Sequence, residues 1–114
     1  MGRLVIEQSN SGDAPVLTLR GDLDIAGAKE LHQELERIEA TEPASLFVDL
    51  RGISFLDSSG LCELLAADAR AKSAGRQLAL VRGPDVVHRV FEIALLDKRL
   101  TFVDAPDTVA HAAS

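Results

Sequence analysis

Apolar and polar residues follow two different periods along this chain. Short apolar runs rich in strand-forming residues predict five strands, and longer stretches with apolar residues three and four apart predict helices between them. The predicted element order is β-β-α-β-α-β-α-β-α. The predicted strands cover residues 4–7, 16–20, 46–50, 77–81 and 100–103.

The first two helices have clear apolar stripes. In the first, apolar residues repeat at a helical period, and Asp24 lies just ahead, where it can cap the helix. The second is predicted over residues 58–73 and ends at Ala74-Gly75, a typical C-terminal signal. The stripe residues are Ala28, Leu31, Leu35 and Ile38 in the first helix and Leu61, Leu64, Leu65 and Ala69 in the second.

Two further helices are predicted. Gly83-Pro84-Asp85 opens the third, because proline suits the first turn of a helix. A short fourth helix is predicted over residues 108–112. The expected buried stripe of the third helix is Val87, Val90, Phe91 and Ala94.

The order of the elements predicts an α/β architecture. Residues 9–13 are dense in turn formers, so the first two strands should form an antiparallel hairpin. The alternation of strands and helices that follows favours a mixed sheet with right-handed crossovers. With no linker or low-complexity tract, one domain should occupy residues 1–114, with its core over about 4–110.

Composition excludes several classes of function. The formal net charge is -6 and aromatics make up 4% of the 114 residues, with no Trp or Tyr. An acidic chain is repelled by nucleic acid and by anionic membranes, and it lacks the rings on which single strands stack. No apolar run approaches the ~18 residues of a membrane span, so a cytoplasmic location is the default expectation.

The chemistry-bearing stretch is Ser54–Leu61, at a strand–helix junction. Asp57 or Ser58 can serve as the N-cap of the second helix. The partial positive charge at the helix N-terminus would stabilise a phosphate on a serine there. Gly60 has no side chain and leaves room for another protein to approach. Local physics allows two interpretations of Ser58 and Ser59: a phosphoacceptor, or hydroxyls that merely cap. Of these, capping is favoured.

Catalytic sites are not indicated. His32, His88 and His111 lie in polar surroundings and are expected to face solvent. The stretch before Ser58 lacks the first glycine of a nucleophile elbow, and no phosphate-cradling or dinucleotide motif is present. We therefore predict no enzyme activity, no catalytic residue and no cofactor.

Metal and thiol chemistry are also not indicated. Asp22 and Asp24 are interpreted as structural or surface residues rather than as a metal site. Cys62 is the single cysteine, which excludes an internal disulfide, and we interpret it as a small, partly buried side chain.

A family resemblance adds to this picture. The stretch Phe55–Leu61 resembles the signature of the STAS domain, specifically of bacterial anti-anti-sigma factors. Leu19–Asp24 resembles the end of that family's second strand, and Phe47–Leu50 resembles the strand before the signature. Pro84, Val87, Arg89 and Phe91 resemble its third-helix segment. The resemblance runs from about residue 4 to 110 and implies a STAS fold of four or five strands flanked by about four helices.

The resemblance also implies a function. Ser58 would be phosphorylated by a cognate anti-sigma factor, a serine kinase with a histidine-kinase-like ATPase fold. The unphosphorylated form would bind this kinase and so release sigma factor, and a PP2C-type phosphatase would reverse the switch. Because parallel strands end at one sheet edge, two segments should form the partner surface together. They contribute Asp22, Leu23 and Asp24, and Asp57, Ser58, Ser59 and Gly60.

One alternative from another class remains open. STAS subunits that are never phosphorylated serve as scaffolds or as transporter-regulating modules, including lipid-transport accessory subunits. Such relatives often lack serine at the position of Ser58, so its presence here favours the switch.

Overall fold

The computed structural model describes residues 2–106, in which five strands and three helices alternate as the sequence predicts. The fourth predicted helix, over residues 108–112, lies outside the described residues. The elements are β1 Val5–Ser11, β2 Ala14–Leu23, α1 Ile25–Glu39, β3 Ser45–Leu56, α2 Ser58–Ser73, β4 Gln77–Val81, α3 Asp85–Ile93 and β5 Phe102–Val103.

The strands form one mixed sheet in the order β1-β2-β3-β4-β5. β1 pairs with β2 antiparallel, and the three remaining pairings are parallel. The predicted α/β fold with an antiparallel first hairpin is therefore confirmed. α1, α2 and α3 are the crossover connections that the three parallel pairs of neighbouring strands require.

Three strands, β1, β2 and β3, are longer than predicted. β2 continues to Leu23 and β3 to Leu56, whereas the sequence pattern ends them near residues 20 and 50. The extra residues pair with one another across register shifts, so that Asp22 lies opposite Phe55. Mutual backbone pairing keeps these segments extended although their side chains do not alternate cleanly.

The first hairpin turn is tighter than predicted. Residues 9–11 belong to β1, and only Gly12 and Asp13 form the turn between the paired residues Ser11 and Ala14. Gly12 has φ +62°, which glycine adopts without strain and which suits the first central position of a two-residue hairpin turn.

The main core lies between one face of the sheet and the three helices. The predicted α1 stripe is buried as expected. In α2, Leu64 is buried, but Ala69 is exposed, and Gly60, Ala67 and Ala71 complete the buried stripe. The largest fully buried side chains of this core include Leu17, Leu19, Leu31, Leu35, Leu50, Leu64, Leu80 and Phe91.

A smaller apolar cluster belongs to the opposite face of the sheet, because neighbouring residues of a strand point to opposite sides. It consists of Ala14, Val16, Phe47, Ala79 and Val81, with Val103 packed against it. Asp49 lies two residues after Phe47 on β3, is only 4% exposed, and is held by both the backbone and the side chain of Arg51.

Two expectations for α3 are wrong. Ala94 is exposed, because the helix ends at Ile93 and the chain turns away. His88 is buried rather than solvent-facing, and its ring packs edge-on against Phe102 with centroids 4.7 Å apart. The polar neighbours of His88 in sequence misled the prediction, since they lie on the other side of the helix. In residues 2–106, no helix has the length and apolar character needed to cross a membrane.

Candidate functional site

Two helix N-termini lie side by side at the carboxyl edge of the sheet. β2 ends at Leu23 and β3 ends at Leu56, and these two residues are paired in the parallel register. α1 begins two residues after Leu23, and α2 begins two residues after Leu56. The expectation that both predicted segments reach the same edge of the sheet is therefore confirmed.

Asp57, and not Ser58, caps α2. Its carboxylate accepts hydrogen bonds from the backbone N–H groups of Ser59 and Gly60, at 2.9 and 3.2 Å. Ser58 is the first residue of the helix and is exposed, while Ser59 is half-buried. The interpretation of Ser58 as a capping residue is therefore wrong, and its hydroxyl stands at the open end of the helix.

Asp24 caps α1 in the same way, as predicted. Its carboxylate accepts from the N–H of Gly27 at 3.0 Å. Asp22, in contrast, is only 9% exposed, and its carboxylate accepts a hydrogen bond from the N–H of Gly2 at 3.0 Å. The side chain of Leu23 is fully buried. Of the first predicted segment, only Asp24 thus presents part of its side chain at the surface.

Both junctions follow one five-residue pattern, Leu-Asp-x-x-Gly, at residues 23–27 and 56–60. A Cβ on Gly60 would lie 2.7 Å from the carbonyl oxygen of Leu23, and one on Gly27 would lie 2.7 Å from that of Asp22. Gly60 is buried against this chain's own strand ends. It does not provide the open space for a partner that the sequence analysis assigned to it.

Two exposed apolar side chains lie at the same edge of the sheet as Ser58, and sequence reasoning missed both. Ile25 is 75% exposed at the first position of α1, which corresponds to Ser58 in the repeated pattern. Phe55 is 50% exposed near the end of β3. An isoleucine at the first exposed position of a helix, where no core contact is available, was the signal that could have revealed the first of them.

Of the candidate bases and thiol, His32, His88 and Cys62 lie within the described residues. Both ring nitrogens of His32 contact carboxylates, Nε2 that of Glu36 at 2.9 Å and Nδ1 that of Glu63 at 3.1 Å. His111 lies outside the described residues. Cys62 is exposed and not partly buried as predicted. Within residues 2–106, no group of three or more potential ligands is arranged to hold a metal ion.

The described residues form an α/β domain in which an exposed serine, Ser58, begins one of two aspartate-capped helices. The chain belongs to the STAS domain family, since the family model described as "Mlab, STAS domain" matches residues 6–109.

Similar proteins and a similar solved structure support this family assignment. Osmosensory protein A of Mycobacterium tuberculosis is 32% identical over 78 residues, which are 68% of this chain and 48% of that protein, so the match spans about half of its length. The anti-sigma-F factor antagonist RsfB of the same species is 26% identical over 95 residues, 83% of this chain and 77% of that protein. The crystal structure of an anti-sigma factor antagonist from Mycobacterium paratuberculosis has the same fold, with a TM-score of 0.86 and 23% identity, over 96% of this chain and 93% of that one.

Proposed function

We propose that this chain is an anti-sigma factor antagonist controlled by phosphorylation of Ser58. Its unphosphorylated form binds a cognate anti-sigma factor, a serine kinase with a histidine-kinase-like ATPase fold, and thereby releases sigma factor. Phosphorylation of Ser58 ends this binding, and a PP2C-type phosphatase restores it. The chain itself carries out no catalysis. The relationship to a protein named anti-sigma-F factor antagonist supports this assignment.

One observation carries the proposal: Ser58 is exposed at the first position of α2 while Asp57 does the capping. A kinase can therefore reach the Ser58 hydroxyl without breaking the helix cap. The first-turn N–H groups and the helix dipole favour a negative group at this position, so the domain tolerates the phosphate.

The phosphate weakens the contact with the partner. It adds about 1.5 to 2 negative charges and three acceptor oxygens at the centre of the proposed surface. Asp57 and Asp24 already make this edge of the sheet acidic. A charge buried in an interface without a partner costs about 3–5 kcal/mol, so the expected switch is a local loss of binding without refolding.

The partner surface consists of the two helix N-termini and the apolar side chains beside them. Asp24, Ser58 and Ser59 supply polar contacts, and Ile25 and Phe55 supply apolar ones. Asp22, Leu23 and Gly60 are buried, and they act by holding the two strand ends and α2 together. Asp57 contributes mainly by capping α2.

The test is incubation with the cognate kinase and ATP, followed by intact mass measurement. Wild type should gain the mass of one phosphate, and Ser58→Ala should gain none. Ser59→Ala is the matched control, because it removes the neighbouring hydroxyl of the same turn and should still be phosphorylated. Modification at Ser59, or none in wild type while the kinase phosphorylates a known substrate, would overturn the assignment and leave the unphosphorylated scaffold or transporter-regulating role.

A further inference from the structure

Within residues 2–106, no strand pairs with the outer edge of β1. Among the described residues, β1 is the end strand of the sheet and has a strand partner on one side only. Five of its seven residues are exposed, including Val5 at 51%. Edge strands are usually protected by lysine, proline, a bulge or a cover. β1 contains no lysine or proline, and its pairing with β2 is continuous, without a bulge.

The hairpin register determines which backbone groups point outward. A two-residue turn closes on a hydrogen-bonded pair, here Ser11 and Ala14. Because the pairs alternate along the strand, the N–H and C=O groups of Ser11, Ser9, Glu7 and Val5 point towards β2. Those of Ile6, Gln8 and Asn10 point away from β2, so three residues offer both a donor and an acceptor at the edge.

A second copy of this edge fits the first one. If two β1 strands run antiparallel about a two-fold axis at Gln8, Gln8 pairs with its own copy and Ile6 with Asn10 of the second copy. All seven residues are then paired, with about six backbone hydrogen bonds. A two-fold axis at any other residue of β1 pairs fewer residues.

Charge is compatible with this register. Glu7 is the only charged residue of β1, and it would face the uncharged Ser9 of the second copy. Its carboxylate already accepts a hydrogen bond from Arg20 on β2, 2.5 Å away. A two-fold axis at Glu7 would instead oppose two carboxylates, which is destabilising. Length and charge therefore select the same register.

We propose that two copies of this chain associate through their β1 edges and form one continuous ten-stranded sheet. β1 and β3 are separated by β2, so this contact lies away from the α2 N-terminus and does not rest on the proposed function. Stable interfaces bury about 800 Å² per partner, more than a single strand edge supplies. The dimer therefore forms in a concentration-dependent way.

Disulfide trapping tests the register. In a Cys62→Ser background, which removes the exposed native thiol, Gln8→Cys places two thiols at the two-fold axis, where paired residues lie about 5.5 Å apart. Asn10→Cys is the matched control, because its two copies lie about 14 Å apart. We expect mild oxidation to cross-link Gln8→Cys several-fold faster than Asn10→Cys. Equal rates, or no cross-link in either variant, would overturn the proposed register.

Sedimentation equilibrium tests the dimer itself. The apparent mass of wild type should rise towards twice the monomer value from low micromolar to near-millimolar concentration. Gln8→Ala keeps the outward N–H and should dimerise, whereas Gln8→Pro removes it and should remain a monomer. Proline is tolerated at an edge position whose N–H faces solvent, and circular dichroism checks the fold. A monomeric wild type at all concentrations, or a dimer unaffected by Gln8→Pro in the folded protein, would contradict the proposal.

Discussion

The backbone N–H of Asp57 donates a hydrogen bond to the carbonyl oxygen of Leu23, 3.4 Å away. This contact joins the residue that caps α2 to the last residue of β2. The first turn of α2 is therefore seated on the end of a neighbouring strand, and the position of Ser58 depends on both strands. Substitutions around this junction should separate the effects on folding from the effects on binding.

Replacement of Ser58 should change binding and not stability. Ser58→Ala should bind the kinase persistently, because it cannot be phosphorylated. Ser58→Asp should weaken binding by about 3–5 kcal/mol, since it places an unpaired charge in the interface. Isothermal titration of the kinase with unphosphorylated wild type, phosphorylated wild type and each variant measures these affinities. Equal affinity for all four forms would disprove the switch.

Replacement of Asp57, in contrast to that of Ser58, should lower the stability of the fold. Asp57→Ala removes the acceptor of two first-turn N–H groups and should lower the free energy of unfolding by about 0.5–2 kcal/mol. Ser58→Ala, one residue away, should leave this free energy nearly unchanged. Urea unfolding of the two variants compares them, and a larger loss in Ser58→Ala would show that Ser58 is the true cap.

Gly60→Ala should destabilise the protein. The new Cβ would lie 2.7 Å from the Leu23 carbonyl oxygen and from Leu56 Cδ1, so α2 must shift away from the strand ends. Such overpacking costs about 1–3 kcal/mol, against a gain in helix propensity of about 1 kcal/mol. Ser59→Ala is the control on the same turn. Thermal unfolding should show a lower midpoint for Gly60→Ala only, and an unchanged midpoint would contradict the contact.

Leu95→Gly should stabilise the end of α3. Leu95 is 78% exposed and has φ +61°, a conformation that is unfavourable for leucine. The backbone there forms the two hydrogen bonds of a Schellman motif, from Leu95 to Glu92 and from Leu96 to Phe91. We expect a gain of about 0.5–1 kcal/mol in the free energy of unfolding.

Gly75 provides the comparison for Leu95→Gly, because it ends α2 in the same motif with φ +69°. Gly75→Ala should lose about 1 kcal/mol. If chemical denaturation shows that the free energy of unfolding changes with the same sign in the two variants, strain in the left-handed backbone conformation is not the cause of these changes.

The Asp49–Arg51 pair should make the free energy of unfolding depend on pH in the acidic range. Burial raises the pKa of Asp49, but hydrogen bonds from Arg51 and its charge outweigh burial, and the net pKa lies below its ordinary value. A carboxyl group whose pKa is lowered on folding contributes stability above its unfolded pKa of about 3.9, and this contribution is lost as the pH falls through its folded pKa.

Asp49→Asn tests this dependence. At neutral pH the variant should be less stable than wild type by about 1–3 kcal/mol, because Arg51 loses its charged partner. The difference between the two urea midpoints should narrow below about pH 4. A difference that stays constant down to pH 3, where about 90% of unfolded aspartate is protonated, would exclude the ion pair as its source.

Local sequence signals determined much of the fold. The α1 stripe, the bounds of α2 and β4, and the cap Asp24 all follow from side-chain period and capping chemistry within a few residues of chain. For α2, the same chemistry left Asp57 and Ser58 as alternative caps. The placement of Ser58 at a strand–helix junction follows for the same reason. These features need no information from distant parts of the chain, because helix periodicity and caps are properties of neighbouring residues.

Only the tertiary structure decided the remaining features. The extension of β3 to Leu56 depends on pairing with β2, and the burial of Gly60 depends on contact with Leu23, which precedes it by 37 positions. His88 is buried because α3 turns that side of the helix towards Phe102. In each case the residue that determines the feature is distant in sequence, so the local sequence pattern does not indicate it. Only the pairing of β2 with β3 brings Ile25, at the start of α1, to the same sheet edge as Ser58, at the start of α2.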